Sequence, residues 1–146
     1  MTMPEQVYKT RIRTTPAKLW AAITDPAFTR QYWFGNANVS TWEEGADWKH
    51  VGMDSGTVHH LGKVEAIDPP RRLVLSWHND GDTHDVSRVS FVLTPVDDGV
   101  ELVITHGDFV DDSAMAARVS GGWPKVVAGL KAFVETGRTE LAHGCA

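Results

Sequence analysis

Apolar and polar positions alternate along most of the chain, and the alternation marks strands. In 7–13, Tyr8, Thr10 and Ile12 oppose Val7, Lys9, Arg11 and Arg13. The stretches 39–43 and 46–51 read as a hairpin around Glu44-Gly45, with Trp42 and Trp48 flanking the turn. Residues 57–67 form a long strand with a weak point at Gly62, where a bulge or bend is expected. Leu73, Leu75 and Trp77 share one face of 72–78, and Val89, Phe91 and Leu93 share one face of 86–94. Asp97-Asp98-Gly99 is a hairpin turn. Beyond it Val100, Leu102, Ile104 and His106 fall on one side of the last strand.

Helical spacing replaces alternation in two places. After the first strand, Thr15 is a natural N-cap and Pro16 a natural first position for a helix burying Leu19, Trp20 and Ile23. Asp25-Pro26 restarts it as a short aromatic helix through Phe28, Tyr32, Trp33 and Phe34, ended by Gly35. Near the C-terminus Trp123, Val126, Val127, Leu130, Phe133 and Val134 recur at helical spacing, with Pro124 in the first turn and Gly137 as the stop. Ser113 caps a separate short helix through Met115 and Val119, which Gly121-Gly122 ends or kinks before the long helix. The order is strand, two short helices, about six or seven antiparallel strands in all, and a long helix. It predicts an α+β domain with helices segregated to one side of a curved antiparallel sheet.

Totals narrow the function. The 146 residues suit a single domain, 1–138, with a frayed tail at 139–146. A net charge of -5 and the lack of a basic stripe argue against nucleic-acid binding. No apolar run approaches a membrane span, so no membrane insertion is expected. The start carries no signal peptide. The lone Cys145 implies no disulfide, and the cytoplasm is the expected compartment. Six tryptophans are many for this length; such rings fill cores and also line pockets for flat or greasy ligands.

Taken together, several stretches resemble one family. Pro16 through Pro26 followed by Tyr32-Trp33 is similar to the opening of the START-like (SRPBCC) superfamily. Gly62 through Trp77, Leu102 through Phe109 and Gly122-Trp123-Pro124 resemble, within it, the C-terminal domain of the activator of heat-shock protein 90 ATPase. The resemblance covers about 7–137. It implies a helix-grip fold, in which the sheet wraps the C-terminal helix around a hydrophobic cavity. It fixes no reaction, because such folds host lipid carriers, cyclases, receptors and chaperone regulators. The eukaryotic co-chaperones carry a separate N-terminal domain that engages the chaperone. This chain has no room for one, so ATPase activation is not expected to carry over.

Candidate chemistry centres on the histidines, His50, His59, His60, His78, His84, His106 and His143. Neighbours in a strand face opposite sides, so His59 and His60 are not expected to act as a pair. His106, in phase with Leu102 and Ile104, is expected to point into the cavity. His60, His106, Asp85 and Glu65 are the inward candidates for acid–base work. No H-E-x-x-H, C-x-x-C or G-x-S-x-G spacing occurs, so no metal ligand, cofactor or catalytic residue is assigned. Small bulk at Gly62, Ala66 and Gly129 leaves room for a ligand. The expected wall is Trp77, Phe91, Trp123, Val127 and Leu130, with Trp33 and Trp48 nearer the entrance and His60 and His106 as orienting polar groups. The leading reading is a binding protein for a small hydrophobic or aromatic molecule. The alternatives are a cyclase- or hydrolase-type enzyme acting on a polyketide-like carbonyl compound in the same cavity, and a chaperone-interacting module. Homodimerisation stays open.

Overall fold

The structure, a computed structural model, describes residues 4–137. The tail at 139–146, with His143 and Cys145, lies outside the described residues. Ten elements follow one another: β1 (Gln6–Ile12), α1 (Pro16–Thr24), α2 (Pro26–Tyr32), β2 (Asn36–Ser40), β3 (Asp47–Gly52), β4 (Val58–Asp68), β5 (Arg72–Asn79), β6 (Ser87–Val96), β7 (Gly99–Gly107) and α3 (Ala114–Thr136). The strands form one seven-stranded antiparallel sheet in the order β1-β7-β6-β5-β4-β3-β2. Sequence neighbours β1 and β2 therefore sit at opposite edges, and α1 and α2 bridge between them. The sheet curls into a half-barrel around α3, which is the helix-grip arrangement.

The caps explain the helix starts. Thr15 Oγ1 accepts from the Lys18 amide at 3.3 Å, and Asp25 Oδ1 accepts from the Ala27 amide at 2.9 Å. Each is followed by a proline at the first helical position, where no N–H is needed. At the other end of the chain Gly137 takes a left-handed φ of +75° and returns its amide to the Phe133 carbonyl at 2.8 Å.

One helix boundary departs from the sequence reading. The two expected helices on either side of Gly121-Gly122 are one helix, α3, of 23 residues, with Pro124 in its interior. Glycine costs about 1 kcal/mol and proline about 3 kcal/mol inside a helix. The buried stripe outweighs them: Met115, Val119, Trp123, Val126 and Leu130 stay in phase across the glycines. Gly121, Pro124 and Lys125 all lie on the exposed side.

The core lies between sheet and helices. On β6, β7, β1 and the first half of β5 it is aliphatic apart from Phe91: Leu73, Leu75, Val89, Leu93, Val100, Leu102, Ile104 and Ile12, joined by Leu19 and Ile23 of α1. Toward β3 and β4 it becomes aromatic, through Trp33, Trp48, Trp77 and Trp123. Trp77 is the hub of that region. The rings of Trp48, His60, His106, Trp123, His50 and Trp33 all lie with centroids 4.8–6.3 Å from its own.

Gly62 sits where β4 comes close to β5. A Cβ there would overlap the Ser76 carbonyl. Trp48 is its partner across β3–β4, and the Trp48 indole N–H donates to that same Ser76 carbonyl at 2.7 Å. Gly62 therefore serves close backbone approach, and the small side does not open onto a cavity.

A candidate binding cavity walled by tryptophan and histidine

A cavity of about 320 Å³ lies between the N-terminal half of α3 and the β2–β5 side of the sheet. Three indoles form its apolar wall. Trp33, Trp77 and Trp123 touch one another pairwise, with centroids 5.5–6.3 Å apart. Val119 and Val126 complete the wall on α3, and Gly122 between them leaves it open. Phe34 comes from the α2–β2 turn and Asn36 from the start of β2. Phe34 has a left-handed backbone (φ +55°) and an exposed ring.

Three histidines supply polar edges: His50 from β3, and His59 and His60 from β4. His59 and His60 line the same cavity, contrary to the strand rule. The register of β3 against β4 slips between His50 and Val51: His50 pairs with His60, whereas Val51 pairs with Val58. His59 is the extra residue of a β-bulge, which breaks the alternation and brings both imidazoles to one side.

The hydrogen bonds fix the protons on two of these rings. His50 Nδ1 lies 2.7 Å from Asn38 Oδ1, and His60 Nδ1 lies 3.0 Å from Asn79 Oδ1. A carboxamide oxygen only accepts, so each Nδ1 donates and each Nε2 is left as an acceptor. Burial holds both rings neutral. The pKa of His50 is pulled down to about 3, first by loss of solvent and then by His60 and His59. That of His60 falls to about 4, chiefly through burial, against the opposing Asn79 bond. Arg118, exposed on α3, is the charged side chain in the lining, and no carboxylate is among the lining residues.

His106 does not line the cavity. It is fully buried beneath it, with both nitrogens spent. The Trp123 indole N–H donates to Nδ1 at 3.0 Å, which places the ring proton on Nε2. Nε2–H donates to Ser87 Oγ at 2.7 Å, and Ser87 donates onward to the Trp77 carbonyl at 3.1 Å. Phe109 stacks on the ring at 4.7 Å. Burial, with His60 adding to it, lowers the His106 pKa to about 3. Its phase with Ile104 is as expected; what alternation could not show is that Trp123 and Phe109 cover that face.

Of the other expected residues, Trp33, His60, Trp77 and Trp123 come together on the lining, whereas Trp48, Phe91, Val127 and Leu130 do not. Trp48 is drawn over Gly62 by its bond to Ser76. Phe91 is covered edge-on by Trp123 at 6.2 Å. Val127 is half-buried against the core, and Leu130 is buried about two turns beyond Trp123. Asp85 is a capping group: its Oδ1 accepts from the Ser113 hydroxyl at 2.6 Å and its Oδ2 from the Met115 amide at 3.0 Å. Glu65 pairs with Arg88. Sequence reading passed over Phe34, Asn36, His50, His59, Arg118, Val119, Gly122 and Val126 as lining residues. The alternation of 46–51 places His50 in phase with Trp48, and that signal was available for it.

The indole N–H of Trp77 is buried with no acceptor among the described residues. The nearest of the rings packed on the Trp77 indole is that of Trp48, with centroids 4.8 Å apart. Also among the described residues, no group of three or more His, Cys, Asp or Glu is arranged to hold a metal ion. No described helix is long and apolar enough to cross a membrane.

Solved structures share this architecture. CalU16 from Micromonospora echinospora superposes with a TM-score of 0.74 at 22% identity, over 99% of this chain and 86% of its own. An HSP90 activator from Plasmodium falciparum gives 0.75 at 18% identity, over 89% and 95%. The Aha1 dimer from Colwellia psychrerythraea gives 0.77 at 19% identity, over 92% and 98%. Identities this low speak to the fold alone. No curated relative matches the sequence. The family model described as Activator of Hsp90 ATPase homolog 1-like protein matches residues 13–135. The chain belongs to that family.

Proposed function

We propose that this protein binds a small aromatic or hydrophobic molecule in the cavity between α3 and the β2–β5 side of the sheet. The observation that carries this reading is a space of about 320 Å³ walled by three indoles and edged by His50 and His60. That volume is at the lower end of the range usual for small-molecule sites, and a mostly apolar wall with a few polar groups is their usual composition. Both Nε2 atoms are acceptors without a protein partner among the described residues, so a hydroxyl-bearing ligand has somewhere to donate.

Naphthalene and 2-naphthol test it. Each should quench tryptophan emission and raise the melting temperature, since a ligand that binds only the folded state stabilises it. Gly122→Leu is the matching variant. A Cβ at Gly122 meets open space, so leucine should fill the cavity, keep the helix and abolish the binding. Saturable binding that survives Gly122→Leu unchanged would place the ligand elsewhere and overturn the reading.

A chaperone-interacting module is the second reading, and one surface feature favours it. Phe34 and Met53 are 42% and 48% exposed, and the Met53 amide bonds the carbonyl of Gly35, the residue after Phe34. Stimulation of an Hsp90-class ATPase that Phe34→Asp removes and Gly122→Leu leaves intact would put this reading ahead.

A further inference from the structure

We infer that the ligand of this cavity is an aromatic hydroxy acid, bound with its hydroxyl toward His50 and His60 and its carboxylate at Arg118. This rests on the cavity being a binding site and adds the chemical class of what it takes. The lining is graded from one end to the other. His50 is 3% exposed and His60 half-buried, whereas Arg118 and His59 are exposed at the rim. The buried end offers two Nε2 acceptors and no described charged group, so it suits an O–H donor and disfavours an anion.

The rim offers the opposite chemistry. Arg118 is the charged group of the lining, and none of the ion pairs among the described residues involves it. Its guanidinium presents a planar fork of donors that matches a carboxylate. No acidic side chain lines the cavity to compete for it or to repel an incoming anion. Between the two ends lie Trp33, Trp77 and Trp123, whose mutual contacts leave flat surfaces for a fused aromatic ring. The arrangement is a donor-seeking floor, an aromatic wall and a cationic rim, in that order.

Four probes separate the parts: naphthalene, 2-naphthol, 2-naphthoate and 6-hydroxy-2-naphthoate, titrated calorimetrically into the wild-type protein, Arg118→Gln and His60→Phe. The hydroxy acid should bind tightest, by about tenfold or more over naphthalene, since bonds to charged groups contribute the most. Arg118→Gln should weaken both acids by about tenfold and leave 2-naphthol within about twofold. Arg118 is exposed, so that variant should fold normally. His60→Phe should weaken the two hydroxyl probes and spare 2-naphthoate. Equal affinity of all four probes, or acids indifferent to Arg118→Gln, would overturn the assignment while leaving the cavity as a neutral hydrophobic site. Failure of naphthalene and 2-naphthol as well would overturn the cavity reading, and this inference with it.

Discussion

The two sides of the half-barrel are built on one sheet, yet their interiors differ. On the β1, β7 and β6 side Ile12, Val100, Leu102, Ile104, Val89 and Leu93 meet Leu19 and Ile23, and these side chains are closed against each other. On the β3–β5 side indoles and imidazoles meet, and about 320 Å³ stays unfilled. Branched aliphatic chains fit pleated neighbours in small increments of volume. Large rigid rings with few rotamers leave gaps where they meet at an angle; the three cavity indoles lie at 24–63° to one another. Histidine adds to this by holding its position through one nitrogen and leaving the other edge bare. Side-chain rigidity, more than backbone curvature, separates the closed side from the open one.

The largest test of that contrast is truncation on the closed side. Leu102, 0% exposed, should cost about 2–5 kcal/mol on change to alanine, read by chemical denaturation. Val119→Ala on the cavity wall should cost roughly half as much or less, because its side chain already lacks neighbours on one side. Equal losses would erase the distinction.

Acid should act next, at the buried imidazoles. His50 and His106 have pKa values near 3, below the ordinary 6.5, so the unfolded chain takes up protons first as pH falls. Their neutral burial contributes fully above pH 6.5 and is lost progressively from there toward pH 3. At pH 5 the loss should be roughly 2 kcal/mol for each of the two. Melting at pH 7.5 and pH 5 checks it; an unchanged stability would mean that these rings are solvated.

A smaller effect should follow from Trp123→Phe, which keeps a ring and removes the indole N–H. His106 Nδ1 would lose its donor while still buried, at about 1–3 kcal/mol by denaturation. A loss below about 0.5 kcal/mol would show that this bond contributes nothing. The smallest effect belongs to the convex face, where Arg88 is half exposed between Glu65 and Asp108. Glu65→Ala should cost less than about 1 kcal/mol and vanish in high salt.

The closed side was the more legible in the sequence. Leu73/Leu75, Val89/Phe91/Leu93 and Val100/Leu102/Ile104 announce their faces by simple alternation, and the structure buries each set. The caps at Thr15, Asp25 and Ser113 were legible too, because each is chemistry within four residues. The open side hid where local rules give way. A bulge is a relation between two strands, so His59 beside His60 leaves no mark in either strand alone. Whether an inward histidine faces space or another ring depends on the tertiary partner: His106 meets Trp123, and His50 meets the cavity. The unbroken α3 was hidden by Gly121, Gly122 and Pro124, whose local preference loses to a stripe set by the whole sheet.

That helix also behaves as a beam fixed at both ends. At about 1.5 Å per residue it is roughly 34 Å long. Asp85 grips its first turn, and the Gln6 side-chain Nε2 donates to the Ala116 carbonyl at 2.7 Å. Far along it, Lys131 bonds the Arg11 carbonyl, and Glu135 accepts the Arg13 amide at 2.8 Å. The free span between these anchors contains three glycines, Gly121, Gly122 and Gly129, and the proline that deletes one rung of the ladder, and Gly122, just before Trp123 and that proline, lines the cavity. Bending is cheapest at that turn. The roof of the cavity is thus anchored at both ends, which would spare a bound molecule the entropy of ordering it.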